Sequence, residues 1–92
     1  MQITVLFPTA TEASLFQRDG VTTLVSGVGL TATAYQTLKT LHAGRPDWLV
    51  LAGVAGYYPH ADLAIGDVVL VESEVEADLG FHTLDGFVHL AH

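Results

Sequence analysis

Apolar residues fall in short blocks punctuated by glycine and proline. Ile3 to Phe7 is rich in β-branched and aromatic side chains and is stopped by Pro8. It predicts a buried first strand. Thr9 or Thr11 then caps a short helix carrying Glu12 in its first turn, where a carboxylate suits the positive end of the helix dipole. Asp19-Gly20 reads as a turn. Val21 to Ser26 reads as a second strand, ending at Gly27-Val28-Gly29. Leu30, Ala34, Leu38 and Leu41 share one helical face and predict a helix over residues 30–43. Gly44 ends it and Pro46 prevents its return. Trp48 to Ala52 is a third apolar strand, followed by Gly53-Val54-Ala55-Gly56. Residues 57–64 form a loop. Ile65-Gly66-Asp67 leads into a fourth strand over residues 67–75. The tail from Asp78, with Gly80 and Asp85-Gly86, fits a hairpin or an irregular excursion, and the pattern does not choose.

Strands alternating with helices, and strands that are continuously apolar, imply an α/β fold with a largely parallel sheet covered on both faces. Such sheets bind ligands beyond the carboxyl ends of their strands. Gly27/Gly29 and Gly53/Gly56 both lie there. Glycine lets backbone N–H groups approach a ligand closely. Tight turns alone would also account for either pair. Two such turns after neighbouring strands favour a ligand pocket. Glu12 follows the first strand by a few residues, so it lies at the same edge and is the best single catalytic candidate. A plain helix-capping acid is the competing account.

Composition adds a size argument. Half of the 92 residues are apolar and 14% are charged. Small domains bury a smaller fraction of their surface. So core-rich a chain implies further partners, either the rest of a longer chain or a second subunit. Charge divides unevenly, with net +1 over residues 1–46 and −8 over residues 47–92, which hold no Lys or Arg. Nucleic-acid binding needs clustered positive charge, and an anionic membrane surface is disfavoured for the same reason. There is no cysteine, so disulfides and thiolate metal sites are excluded. The first residues lack the basic start and length of a signal peptide. No apolar run approaches a span of ~18 residues. A cytoplasmic protein is expected.

Named chemistries can be weighed on spacing. Gly27-Val28-Gly29 with Ala32 loosely fits a dinucleotide fingerprint, and Asp47 lies near the distance of its ribose acid. Asp47, however, starts a strand where the fingerprint acid ends one. A phosphate-binding Gly-x-x-x-x-Gly-Lys motif and a Gly-x-Ser-x-Gly elbow are both missing. His42, His60, His82, His89 and His92 show no metal-ligand spacing beyond the closeness of His89 to His92, and solvent-exposed histidines are the simpler account. Glu72, Glu74, Glu76 and Asp78 would share one face of an extended strand. They could meet a cation, a polyhydroxylated ligand or a partner subunit. A solvated strand edge is the favoured reading.

These segments together resemble the nucleoside phosphorylase/nucleosidase family. The resemblance rests on a Glu at 12 after the first strand, Ser26-Gly27-Val28-Gly29 opening a helix, Asp47 to Gly56 ending in Gly-Val-Ala-Gly, and Leu63-Ala64-Ile65-Gly66-Asp67-Val68-Val69. The acidic run Val71 to Gly80, with Asp85-Gly86-Phe87, points to one hydrolase branch of it. The resemblance implies a three-layer α/β/α fold around a parallel or mixed sheet, with this chain as the N-terminal portion of a single domain whose C-terminal half is absent. It implies cleavage of an N-glycosidic bond in a nucleoside, with no metal and no cofactor. Family phosphorylases place an Arg and a Ser where Leu51 and Val54 stand here. A phosphate site needs arginine, so water is the implied nucleophile. Glu12 would orient and deprotonate that water. Val28 and Gly29 would line the ribose, and Val54, Ala55 and Gly56 the base. The base's proton donor and the ribose clamp are expected beyond His92, and a homo-oligomer is implied.

Overall fold

The computed structural model describes residues 1–90. They divide into two units, Met1–Tyr58 and a second from Pro59 onward. In the first, β1 (Ile3–Phe7), β2 (Val21–Val25) and β3 (Trp48–Leu51) form a parallel sheet in the order β2-β1-β3. Ile3 aligns with Val21 on one side and Trp48 on the other. β1 is therefore the central strand, and its side chains are the core: Val5, Leu6 and Phe7 are buried, Leu6 almost completely. The alternating faces of β2 meet different helices. Val21, Thr23 and Val25 face a hollow shared with Ala10 and Ala13 of α1 (Ala10–Ser14). Thr22 and Leu24 face one shared with Gln36 and Thr40 of α2 (Leu30–Ala43). Helix, sheet and helix thus make the three layers of an α/β fold. Phe7 and Phe16 add a tilted ring contact at 5.6 Å on the α1 side.

The strand and helix bounds follow the punctuation. β1 and α2 run over the residues expected of them, because Pro8, Gly29, Gly44 and Pro46 leave no choice of ends. The face of α2 differs from expectation. Leu30 and Leu38 are 70% and 66% exposed, and Ala34 is exposed as well. The side nearest the sheet carries Ala32, Thr33, Gln36, Thr37 and Thr40, with Leu41 alone of the predicted stripe partly covered.

The second unit also corrects the sequence reading. Residues 67–75 form no strand. Val68 and Leu70 are fully exposed, and Glu72, Glu74, Glu76 and Asp78 are solvated with no shared strand face. A strand must satisfy its N–H and C=O groups in a ladder, and among the described residues this segment has no ladder partner. The tail resolves as an antiparallel hairpin of β4 (Gly80–Thr83) and β5 (Gly86–His89). The Thr83 hydroxyl donates to Gly86 O at 3.1 Å and accepts from Asp85 N at 3.2 Å, fixing the turn. A Cβ at Gly80 would collide with Val88 O and the Phe87 ring. His89, expected to be solvent-exposed, is half-buried and its Nε2 contacts Glu76 O at 2.5 Å. The expected closeness of His92 falls outside the described residues. No helix among them is long and apolar enough to cross a membrane.

Candidate functional site

The three parallel strands all end at one edge of the first unit, and each is followed by a candidate segment. After β1, Pro8 breaks the ladder and Thr9 opens α1 from an extended backbone conformation. Glu12 lies three residues on, and its N–H donates to the Thr9 hydroxyl oxygen at 3.2 Å. That same hydroxyl donates to Glu12 Oε2 at 2.7 Å. This is a capping-box spacing, Thr-x-x-Glu, in which cap and acid satisfy each other.

After β2, the ladder extends by one bond, Ser26 N to Phe7 O at 2.8 Å. Ser26 is buried, and its hydroxyl donates to Gly27 O at 2.9 Å. Gly27 and Gly29 both take positive φ, +84° and +96°, which favours glycine. Gly29 is the N-cap of α2 without a side-chain cap bond. Val28 between them is 74% exposed.

After β3, Ala52 N donates to Leu6 O at 2.9 Å, which carries the chain to Gly53. A Cβ built there would lie 3.3 Å from Pro8 Cδ and 3.4 Å from Glu12 Oε1. The two strand ends thus lie close enough that a side chain at this position would be tightly packed. The next residue, Val54, turns its N–H onto Glu12 Oε1 at 3.1 Å while its side chain stays 85% exposed. Ala55 and Gly56 follow in exposed loop.

Phosphorylase superfamily is the description of the family model that matches residues 9–89. The chain belongs to the phosphorylase superfamily. The match begins at Thr9, spans all three segments just described and reaches the end of the hairpin. No curated protein matches the chain, and no solved structure matches it.

The electrostatics of this sheet edge centre on Glu12. Its carboxyl is held below the usual carboxylate range, first by the Thr9 hydroxyl and next by the Val54 N–H. Desolvation opposes this lowering, and the Thr9 backbone N–H reinforces it. Hydrogen bonds to the charged form favour it, so Glu12 is an anion at neutral pH. Three neutral donors act on a carboxylate that can accept about four hydrogen bonds, so acceptor capacity is left for one further donor.

The structure therefore joins Glu12 to Val54 directly, and brings Val28 and Gly29 to the same sheet edge through the Ser26–Phe7 bond. Asp47 lies at the opposite end. Its carboxylate accepts from Gln2 N at 2.6 Å, tying the starts of β1 and β3, which removes the dinucleotide reading. Sequence reasoning missed Thr9 as the partner of the carboxylate and Gly53 as the point of close approach. The Thr-x-x-Glu spacing was the available signal for the first. The second has none, because it depends on which strands are neighbours.

Proposed function

We propose that the chain supplies the water-activating part of a nucleoside hydrolase site, with Glu12 as the catalytic carboxylate. The observation that carries this reading is the Glu12 side chain fixed at the strand edge by Thr9 and by the Val54 N–H. A nucleoside C–N bond breaks through an oxocarbenium-like state, as glycosidic bonds do. The bond's electron pair leaves with the base, which takes a proton at a ring nitrogen. Water oxygen bonds to the anomeric carbon, and one water proton passes to Glu12. Water becomes strongly acidic as it bonds to that cation. A carboxylate with a lowered pKa is then base enough, and its charge also stabilises the cation.

Water rather than phosphate is favoured by Leu51 and Val54, which put no cation at the end of β3. Val28 and Gly29 would line the ribose, and the backbone of Val54 to Gly56 the base. Within the superfamily, the acidic run 71–80 with Asp85-Gly86-Phe87 favours futalosine as substrate, with hypoxanthine as the product of a step in menaquinone biosynthesis. Self-association belongs to the same reading, supported by Trp48 and Leu51, 61% and 59% exposed on β3.

The test is release of hypoxanthine from futalosine by the protein, followed beside adenine release from methylthioadenosine. Glu12→Gln should lower turnover by roughly 10²–10⁴-fold, the usual range for a general base. Adenine release with futalosine untouched would transfer the chain to the methylthioadenosine/adenosylhomocysteine-type nucleosidases. A Glu12→Gln variant at the unsubstituted rate would remove Glu12 from the chemistry.

A further inference from the structure

Helix capping explains half of what Thr9 does. As the N-cap of α1, its hydroxyl oxygen needs only to accept from Glu12 N, which it does at 3.2 Å. Any Ser, Asp or Asn would serve equally. The hydroxyl proton is left over, and it goes to Glu12 Oε2 at 2.7 Å, shorter than the capping bond. Oε1 is taken by Val54 N–H at 3.1 Å, forty-two positions away. The two carboxylate oxygens thus have separate partners, one in the residue that starts the helix and one in the loop after β3. Every group acting on the carboxylate is neutral: the Thr9 hydroxyl, the Thr9 backbone and the Val54 backbone. A glutamate side chain has three rotatable bonds, and holding one of its rotamers has an entropic cost. Two bonds to separate oxygens remove that freedom before substrate arrives.

We propose that Thr9 is a positioning residue for Glu12, its hydroxyl locking the carboxylate in the one rotamer that faces the Gly53–Val54 backbone. The proposal builds on the reading of Glu12 as the water-activating group, but its geometry can be tested without turnover. Thr9 acts through Glu12 and touches no reacting atom. The site then needs a donor at position 9 as well as a cap, which only a hydroxyl supplies compactly. Serine keeps both functions. Valine, of the same shape, keeps neither. The lowered pKa of Glu12, caused first by this hydroxyl, is the expected electrostatic trace of the grip.

The experiment uses the full chain with ¹³C-labelled glutamate and ¹⁵N-labelled backbone, titrated by NMR. In the unsubstituted protein, the Glu12 carboxyl carbon, the Val54 amide and the Thr9 methyl should titrate together with one midpoint. In Thr9→Ser that midpoint should stay. In Thr9→Val it should rise toward the ordinary glutamate value of about 4.3, and the Val54 amide should lose its response. An unmoved midpoint in Thr9→Val overturns the proposal. Should that variant fold poorly, a Thr9 methyl indifferent to Glu12 in the unsubstituted chain overturns it equally. On futalosine, Thr9→Val should lower kcat by roughly ten- to a hundredfold, as misplacement of a reacting group does, with KM little changed and Thr9→Ser restoring the rate. Full activity in Glu12→Gln would strike the catalytic reading alone, because the titrations judge Thr9 separately.

Discussion

Glu12 and Val54 are joined by a hydrogen bond of 3.1 Å from the Val54 N–H to Oε1. One comes from the first turn of α1 and the other from the loop after β3, so a single carboxylate ties two strand ends of the sheet. Any change in its charge is therefore felt by the loop after β3 as well as by the start of α1. Protonation would weaken the Thr9 and Val54 bonds to it, since the charged form is the better acceptor.

That linkage gives stability a pH dependence with a definite sign. The carboxyl of Glu12 is lowered in the folded chain, so the folded state holds fewer protons than the unfolded state near its midpoint. The contribution is fully present above the unfolded glutamate value of about 4.3. It fades as pH falls through the lower folded value. Urea midpoints measured across this acid range should therefore decline more steeply in the unsubstituted protein than in Glu12→Gln. Parallel curves for the two proteins would contradict the linkage.

Gly53 sets how closely the loop after β3 approaches Glu12. An added methyl would sit 3.3 Å from Pro8 Cδ and Cγ and 3.4 Å from Glu12 Oε1. The proline ring is rigid, so the loop carrying the new methyl must give by a few tenths of an ångström. Gly53 is exposed and the approach is short by only a few tenths of an ångström, so Gly53→Ala is expected to displace the loop slightly and lengthen the Val54–Glu12 bond. The Val54 amide should then lose its response to Glu12 titration. A variant with unchanged thermal midpoint and unchanged amide would show that the loop is free to retreat.

Much of this was legible in the residues, and for reasons specific to each element. Pro8 and the Gly44–Pro46 pair end their elements by removing backbone options, so β1 and α2 fall where expected. The parallel sheet, and the shared edge at which Glu12 and both glycine turns lie, follow from that alternation. The orientation of α2 did not. Apolar periodicity assumes a helix buries its leucines, but the sheet offers Thr22 and Leu24 to this helix, and Gln36 and Thr40 lie on that side. The run 67–75 reads as a strand by side-chain type alone, whereas a strand exists only with a ladder partner. Glu12 was legible as a candidate from its distance to β1. Its grip by Val54 was not, because a backbone N–H carries no sequence signature.

The two positive-φ glycines before α2 separate conformational cost from steric cost. At Gly29 an added Cβ meets nothing within 4 Å, so Gly29→Ala pays only for its backbone. With φ +96° and ψ 165°, that region is nearly restricted to glycine and costs of order 1–3 kcal/mol. At Gly27, with φ +84°, the added Cβ also lies 3.0 Å from Ala32 Cβ. Gly27→Ala therefore carries a clash in addition to strain. Ala32→Gly removes the clashing methyl but costs about 1 kcal/mol for a glycine inside a helix. A double-mutant cycle divides the two terms. Gly27→Ala with Ala32→Gly should be more stable than the sum of the single changes predicts, by roughly 0.5–3 kcal/mol. Gly29→Ala with Ala32→Gly should be additive. The readout is the urea midpoint of each variant. Equal coupling in both cycles would mean that α2 shifts as a body, and that its first turn rather than the Gly27–Ala32 contact sets the spacing of the 26–29 turn.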